Sequence, residues 1–362
     1  MLKIFIALLL LLHGLIHVLG FAKSFGLAEL RELTQRVSRP VGLLWLLVAL
    51  LFIIAAFLWW HQHDNWIWVA LPAIVLSQVL IFMVWKDARF GTIANMLLLV
   101  VALAELPVLR FQQSFRNDVR ANLQANNPLP TDLVTEADLA PLPPPVQRYL
   151  RLVGVVNKPR VKSMRIEMEG ELRQKDQDWF PVRFLQYSFF EAPTRLFFLK
   201  ARMNGLPVPG YHHFENGKAT MEIRLLGLKQ VAFKDGPEMD QSETVTFFND
   251  MCLLAPATLI DPRITWEAID SASARGTFTY KDIRVTAVLY FNEQGELIDF
   301  ISYDRYVMDD LKRFTFSTPL QDYQDFNGYR LAGAGEAIWH YPDGLFSYGR
   351  FRIKEVQYNV SE

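Results

Sequence analysis

The chain has one cysteine, Cys252, which excludes an intrachain disulfide and any cysteine-based zinc site. It also lacks a G-x-S-x-G elbow, an H-E-x-x-H pair, a Walker loop and a G-x-G-x-x-G fingerprint, so four common chemistries lose their usual sequence support. Neither sign of charge is in excess: 37 Lys+Arg stand against 38 Asp+Glu, for a net charge of −1. No basic footprint points to a nucleic-acid partner.

Apolar residues are plentiful but unevenly spread, so the two parts of the chain require different solvents. Residues 4–21, 41–60, 66–85 and 91–109 are each close to the ~20 residues that cross a bilayer core. The first run follows Lys3 as a signal peptide would, but no small-x-small cleavage site follows it, and it reads as a retained span. Residues 1–110 are therefore expected to form a four-helix transmembrane bundle.

Lys and Arg set the expected orientation. The loop at 22–40 carries Lys23, Arg31, Arg36 and Arg39, the loop at 86–90 carries Lys86 and Arg89, and the loop at 61–65 (HQHDN) carries neither type. The first and third loops are thus expected to be cytoplasmic, which puts the N-terminus, the HQHDN loop and the C-terminal domain on the outer face of the membrane. Arg110, Arg116 and Arg120 oppose that bias. Trp59, Trp60, Trp66 and Trp68 suit a membrane–water interface around the HQHDN loop. In the first loop, Leu27, Leu30, Leu33 and Val37 fit one stripe of a surface-lying helix, opposite Arg31 and Arg36.

Polar residues inside the runs are His13, His17, Gln78, Asn95 and Glu105. His13 and His17 share a helix face, which suits a polar patch inside the bundle or two ligands to one group. The patch is the simpler reading, and no metal or cofactor is expected. At ~1.5 Å per residue, His13 and Gln78 fall at similar depth near the midplane, and Glu105 lies nearer the outer exit with Pro107 and Arg110. His61, His63 and Asp64 read as a polar turn, not a metal site.

Residues 111–145, rich in Asn, Gln and Pro, read as a linker, and 146–362 as a β-rich domain. VQRYLRLVGV opens the domain as an amphipathic helix with Val146, Tyr149, Leu150 and Val153 on one face. Met164, Ile166, Met168 and Leu172 then alternate with polar residues, the signature of a strand with one wet face. Further strands are expected near 181–190, 195–203, 219–233, 276–280, 284–291, 297–306, 329–339 and 349–358, with turns at Asn216-Gly217, Asp235-Gly236, Asn327-Gly328 and Asp343-Gly344. One helix interrupts them, capped by Asp240 or Ser242, with Glu243 placed to complete a capping box with Asp240, and ended by Pro256, its broad apolar face set against a curved sheet. The expected fold class is a transmembrane bundle plus an α+β domain, mostly an open antiparallel half-barrel packed on one or two helices.

The segments 236–267 (GPEMDQSETVTFFNDMCLLAPATLIDPRITWE), 195–211 (RLFFLKARMNGLPVPGY) and 335–359 (GEAIWHYPDGLFSYGRFRIKEVQYN) resemble an uncharacterised family of bacterial membrane-anchored proteins, a domain of unknown function. That resemblance implies a fold and no activity. A strand-rich domain with a helix on its concave face is also similar to the half-barrel of LolA/LolB-type lipoprotein carriers.

The leading expectation is a non-enzymatic one: a half-barrel that binds a lipid-like ligand presented from the membrane, lined by residues such as Phe184, Phe197, Phe198, Met203, Met221, Phe233 and Tyr290. A single closed core accounts for the same residues. Glu243, Thr246, Asn249, Asp250, Asp304 and His340 are the candidate ligand-binding groups, with Thr246, Asn249 and Asp250 read as facing water or edging a cavity. The first alternative is a membrane-tethered hydrolase of envelope lipid or glycan, using Asp250, Asp304, Glu336 and His340 as acids and bases. The second is a structural or sensory protein that recruits another envelope protein along a sheet edge.

Overall fold

The computed structural model describes residues 2–361 apart from 29, 31–32, 62, 127–129 and 204. Arg31 and Gln62 of the two loops, and part of the expected linker, thus lie outside the described residues. The chain divides into two compact units, Met1–Arg110 and Phe111–Glu362.

The first unit holds α1 (Leu2–Ser24), α2 (Arg39–Trp60), α3 (Trp66–Met83), the single turn α4 (Trp85–Ala88) and the start of α5 (Gly91–Ala125). α1, α2, α3 and α5 are the four described helices long and apolar enough to cross a membrane. α1 and α2 approach closely because Gly20 has no side chain; a Cβ there would run into the Trp45 ring. The expected surface helix in the first loop does not form among the described residues of 25–38. The backbone there turns to a carboxylate instead: Asp87 accepts from the Thr34 and Gln35 amides at 2.6 and 2.9 Å and from the Thr34 hydroxyl at 2.8 Å.

In the second unit α6 (Glu136–Leu139) and α7 (Pro144–Val153) precede the strands β1 (Ser163–Leu172), β2 (Phe180–Phe189), β3 (Thr194–Met203), β4 (Leu206–Glu215), β5 (Lys218–Leu225) and β6 (Lys229–Lys234). Helix α8 (Pro237–Leu253) follows, then β7 (Ile264–Ala268), β8 (Ser273–Tyr280), β9 (Ile283–Phe291), β10 (Leu297–Ser302), the small ribbon β11 (Tyr306–Val307) and β12 (Lys312–Arg313), and β13 (Thr315–Ser317). β14 (Leu320–Phe326), β15 (Tyr329–Tyr341) and β16 (Gly344–Tyr358) complete the chain. Among the described residues fourteen strands form one antiparallel sheet in the order β6-β5-β4-β3-β2-β1-β16-β15-β13-β10-β9-β8-β7, with β14 added to β15.

That sheet wraps around α8. In the pairing order β5 and β9 stand nine spacings apart, about 43 Å at ~4.8 Å per strand. A helix only ~10–12 Å wide nevertheless touches both. Twist of about 20° per strand accumulates to roughly a half-turn over that path. It brings the β4–β5 turn against the β8–β9 turn, where Lys281 Nζ donates to Asn216 O at 2.6 Å. β6 and β7 end the path, so the half-barrel is open, as expected.

α8 is buried among aromatic residues. Val245, Phe247, Phe248, Met251 and Cys252 are fully buried, and Phe248 stacks on Phe278 with ring centroids 5.8 Å apart. Each such side chain contributes roughly 1.5–3 kcal/mol by leaving water. The other face of β2–β4 is covered as well. Phe111, Phe115 and Val119 of α5 pack on Phe189, Leu196, Phe198 and Tyr211. Residues 112–125, expected as linker, thus continue α5, because every third or fourth one finds an apolar partner on the sheet.

The strands depart from the sequence expectation at several points, and β7, β12, β13 and β14 fall outside the expected ranges altogether. Residues 219–233 form the hairpin β5–β6, broken at Leu226 and Gly227, both at positive φ. The 297–306 strand stops at Ser302. β4 was not foreseen, because Pro207 and Pro209 argue against a central strand. They are tolerated because residues 206–209 pair with β3 alone, β5 joining only at Gly210.

Candidate ligand-binding site

Alternation along β3 turns Arg195, Phe197 and Leu199 toward the α8 side of the sheet and Leu196 and Phe198 away from it. α8 opposes Arg195 with Glu243 and Asp250, two helical turns apart and so on one side. Arg195 Nε donates to Asp250 at 2.7 Å and its NH1 group to Glu243 at 3.1 Å. Gln186 of β2 closes the circuit, accepting from Arg195 at 3.1 Å and donating to Asp250 at 2.7 Å. His212 Nδ1 of β4 lies 3.1 Å from the second Glu243 oxygen.

Arg195, Glu243, Asp250 and Gln186 are all buried. Isolated charges there would each cost several kcal/mol, which is why each of the four is bonded to at least two partners, Glu243 to Arg195 and His212. Burial pushes the Glu243 carboxyl up, but Arg195 and His212 together outweigh it and hold the group at about 2. Asp250 is displaced upward, mainly by burial with help from the Glu243 charge, and Arg195 and Gln186 offset only part of this. Asp250 is therefore the carboxylate that takes a proton first. The expected capping box is absent, since Glu243 turns inward and Asp240 accepts from the Ala219 amide and from Lys218 at 2.7 and 2.8 Å.

Beside this cluster the inner face is aromatic. Phe197 stacks with Phe184, which meets Phe351 edge-on. The floor continues through Tyr348, Trp339 and Phe316. Here the cover is the segment 303–314, which contains the β11–β12 ribbon. Ser242 of α8 accepts from the Tyr306 amide at 3.0 Å, Gln241 donates to Asp304 O at 2.6 Å, and Lys234 donates to Met308 O at 2.9 Å. From this segment Arg305 reaches over Phe316, Trp339 and Tyr348, its guanidinium carbon 4.2 Å from the first ring centroid. One of its terminal nitrogens donates to Tyr348 Oη at 2.7 Å. Its Nε is buried and has no hydrogen-bond partner among the described residues. A cleft of about 280 Å³, lined in part by Arg173, Lys175, Tyr341 and Phe346, opens beside this floor.

The remaining candidates are dispersed. Thr246 is bonded back to Ser242 O of its own helix, and Asn249 donates to Thr318 at 3.1 Å. Asn249 and Asp250 are buried, contrary to the reading of a wet helix face, because the sheet wraps both sides of α8. Asp304 accepts from the Thr286 amide at 2.7 Å, His340 meets Ser317 at 2.8 Å and Glu336 accepts from Ser347 at 2.7 Å. The four proposed acids and bases are thus each engaged with different partners. The expected lining also divides: Phe184 and Phe197 face inward, Phe198 packs on α5, and Met203, Phe233 and Tyr290 are exposed.

In the first unit His13 Nε2 lies 2.9 Å from Asn95 Oδ1 and 3.2 Å from Ser77 Oγ, and Asn95 donates to Gln78 at 3.0 Å. Gln78 donates in turn to Thr92 at 3.1 Å. His17 turns its Nδ1 to His13 O at 2.8 Å. Glu105 is half-buried ten residues farther along α5 than Asn95, a rise of ~15 Å. No group of three or more His, Cys, Asp or Glu is placed to hold a metal among the described residues.

The fold and site define a class: an open, curled sheet built around a buried helix, with an aromatic inner face, preceded by four apolar helices. Residues 132–351 match the profile of a family of unknown function, DUF6544. The chain belongs to that family. No curated protein matches it. Among solved structures it is similar to a domain assigned to outer membrane lipoprotein sorting from Vibrio parahaemolyticus, at 10% identity over 55% of this chain and 86% of that one, with a TM-score of 0.35. It is also similar to a LolA superfamily protein from Nitrosomonas europaea, at 8% identity over 60% of this chain and 94% of that one, again with a TM-score of 0.35. The likeness to the LolA fold is thus found as expected.

Sequence reasoning missed Arg195, Gln186, His212 and Arg305. A period-two test over β3 fails because both faces of the strand are covered, one by α8 and one by α5, so RLFFLK shows no alternation against which Arg195 would stand out.

Proposed function

We propose that this is a membrane-anchored protein of the bacterial envelope whose second unit binds a lipid-like amphiphile on the aromatic floor beneath residues 303–314, without catalysing a reaction on it. The observation that carries this reading is the buried Nε of Arg305, without a hydrogen-bond partner among the described residues, on a guanidinium that stands over Phe316, Trp339 and Tyr348. A buried cationic donor without an acceptor is costly, and an anionic or carbonyl head group would complete it while the apolar chain lies on the rings. The cover suits exchange, since polar bonds from Gln241, Ser242 and Lys234 fasten it and Tyr303 and Leu311 remain exposed.

The proposed location is the inner membrane, with the second unit on the periplasmic face. Lys and Arg distribution supports it, and the bonds from Thr34 and Gln35 to Asp87 fit the two basic loops lying on one side.

Native mass spectrometry of the full chain released from lipid nanodiscs tests the ligand. A retained lipid adduct is expected, with occupancy about tenfold lower in Arg305→Ala, as loss of one charge-assisted hydrogen bond of ~1.5 kcal/mol implies. No adduct, or adducts equally retained in Arg305→Ala and Trp339→Ala, would overturn the reading.

A further inference from the structure

We infer that the adjacent β3–β4 and β5–β6 turns rest on an anionic lipid surface. Leu226 N donates to Pro207 O at 2.7 Å, which locks the two turns side by side. Their tips carry apolar side chains in the open: Leu206 is 47% exposed, Leu228 68%, and Val231, just inside the edge strand β6, 52%. Met203 joins them. Arg202 and Lys229, both exposed, flank the tips. Large apolar groups on exposed turns are unfavourable in water, and apolar tips ringed by cations are the composition of an interfacial membrane contact.

The course of α5 selects the bilayer over other occupants. Phe111, its first residue in this unit, lies under Arg224 with the guanidinium carbon 4.3 Å from the ring centroid, two residues before the β5–β6 turn. Farther along, Asn122 donates to Glu215, at the opposite end of β4. The chain therefore comes into the second unit at the end that bears the apolar tips. It comes directly from the apolar run of 91–109. A lipid surface is the partner that this continuity supplies. The cations match phosphate head groups, each contributing more in an anionic than in a neutral bilayer.

The test uses the full chain in nanodiscs of phosphatidylcholine and phosphatidylglycerol, with an environment-sensitive fluorophore on Leu228→Cys and, separately, on Leu206→Cys. Cys252 is buried and stays unlabelled in the folded protein. Ala192→Cys, exposed on the β2–β3 turn at the far end of β3, roughly 30 Å away at ~3.3 Å per residue, is the reference. Quenching by lipids spin-labelled near the head group is expected to be several-fold stronger at 228 and 206 than at 192, and stronger with phosphatidylglycerol than without it. Equal, weak quenching at all three positions would overturn the inference. So would shielding from aqueous iodide without lipid quenching, accompanied by 228-to-228 crosslinks, which would assign the tips to a second copy of the chain. None of these readouts depends on a ligand beneath residues 303–314.

Discussion

Arg195 on β3 and Asp250 on α8 form a buried ion pair with Nε and Oδ2 2.7 Å apart, joining a strand to the helix that the sheet encloses. Replacing Arg195 by Met leaves Glu243 and Asp250 together without their cation. The expected loss is ~3–5 kcal/mol, because an uncompensated charge remains buried. Thermal unfolding followed by near-ultraviolet circular dichroism checks it; a midpoint within a degree of the parent would show that the pair contributes nothing.

The same cluster sets an acid limb. Glu243 has its folded pKa held at about 2, below the ordinary 4.5, so it stabilises the fold above about pH 4.5 and that contribution is lost as pH falls toward 2. Asp250 is shifted the other way and favours the fold when protonated. Glu243→Gln is therefore expected to be less stable than the parent near neutrality, with the difference shrinking steadily below about pH 4.5. A difference that stays constant down to about pH 2 would contradict this assignment.

Ser242 holds the cover of the aromatic floor through its bond from the Tyr306 amide. Ser242→Ala removes a bond of ~1 kcal/mol, so amide exchange across 303–313 should quicken about fivefold. Exchange in β1, β2 and β3 should not change. Hydrogen-exchange mass spectrometry reads both regions at once, and acceleration spread evenly over the sheet would mean that the serine supports the whole fold instead of the cover.

Gly276 has no room for a side chain: a Cβ would lie 2.7 Å from Phe248 Cζ and 3.0 Å from the Trp266 ring. Gly276→Ala should cost ~1–3 kcal/mol by overpacking. Gly276→Ala combined with Phe248→Leu should cost less than the sum of the two changes, which a double-mutant cycle of unfolding midpoints measures.

In the first unit Asn95 joins His13 to Gln78. Asn95→Leu should lower stability by ~1–2 kcal/mol in detergent, with the effect largely absent when His13 is already Leu. Full additivity would show that the two side chains act separately.

The local character of hydropathy made some of this legible in one dimension. Four runs of about 20 apolar residues require a continuous apolar environment wherever they lie, and the alternation of Met164, Ile166 and Met168 fixes which face of β1 is buried. Depth counting likewise put His13 and Gln78 at one level, and Asn95 proved to be the residue between them. Tertiary structure decided the rest. Whether residues 112–125 continue a helix depends on Phe198 and Tyr211, about 90 positions away, offering Phe115 a surface. Asp250 is buried only because strands from both ends of one sheet close around α8, and Arg195 is its partner only because β3 falls opposite. Hydrophobic periodicity reports which side of an element leaves water, whereas the partner of a buried charge is fixed by sheet order and curvature, which no local pattern encodes.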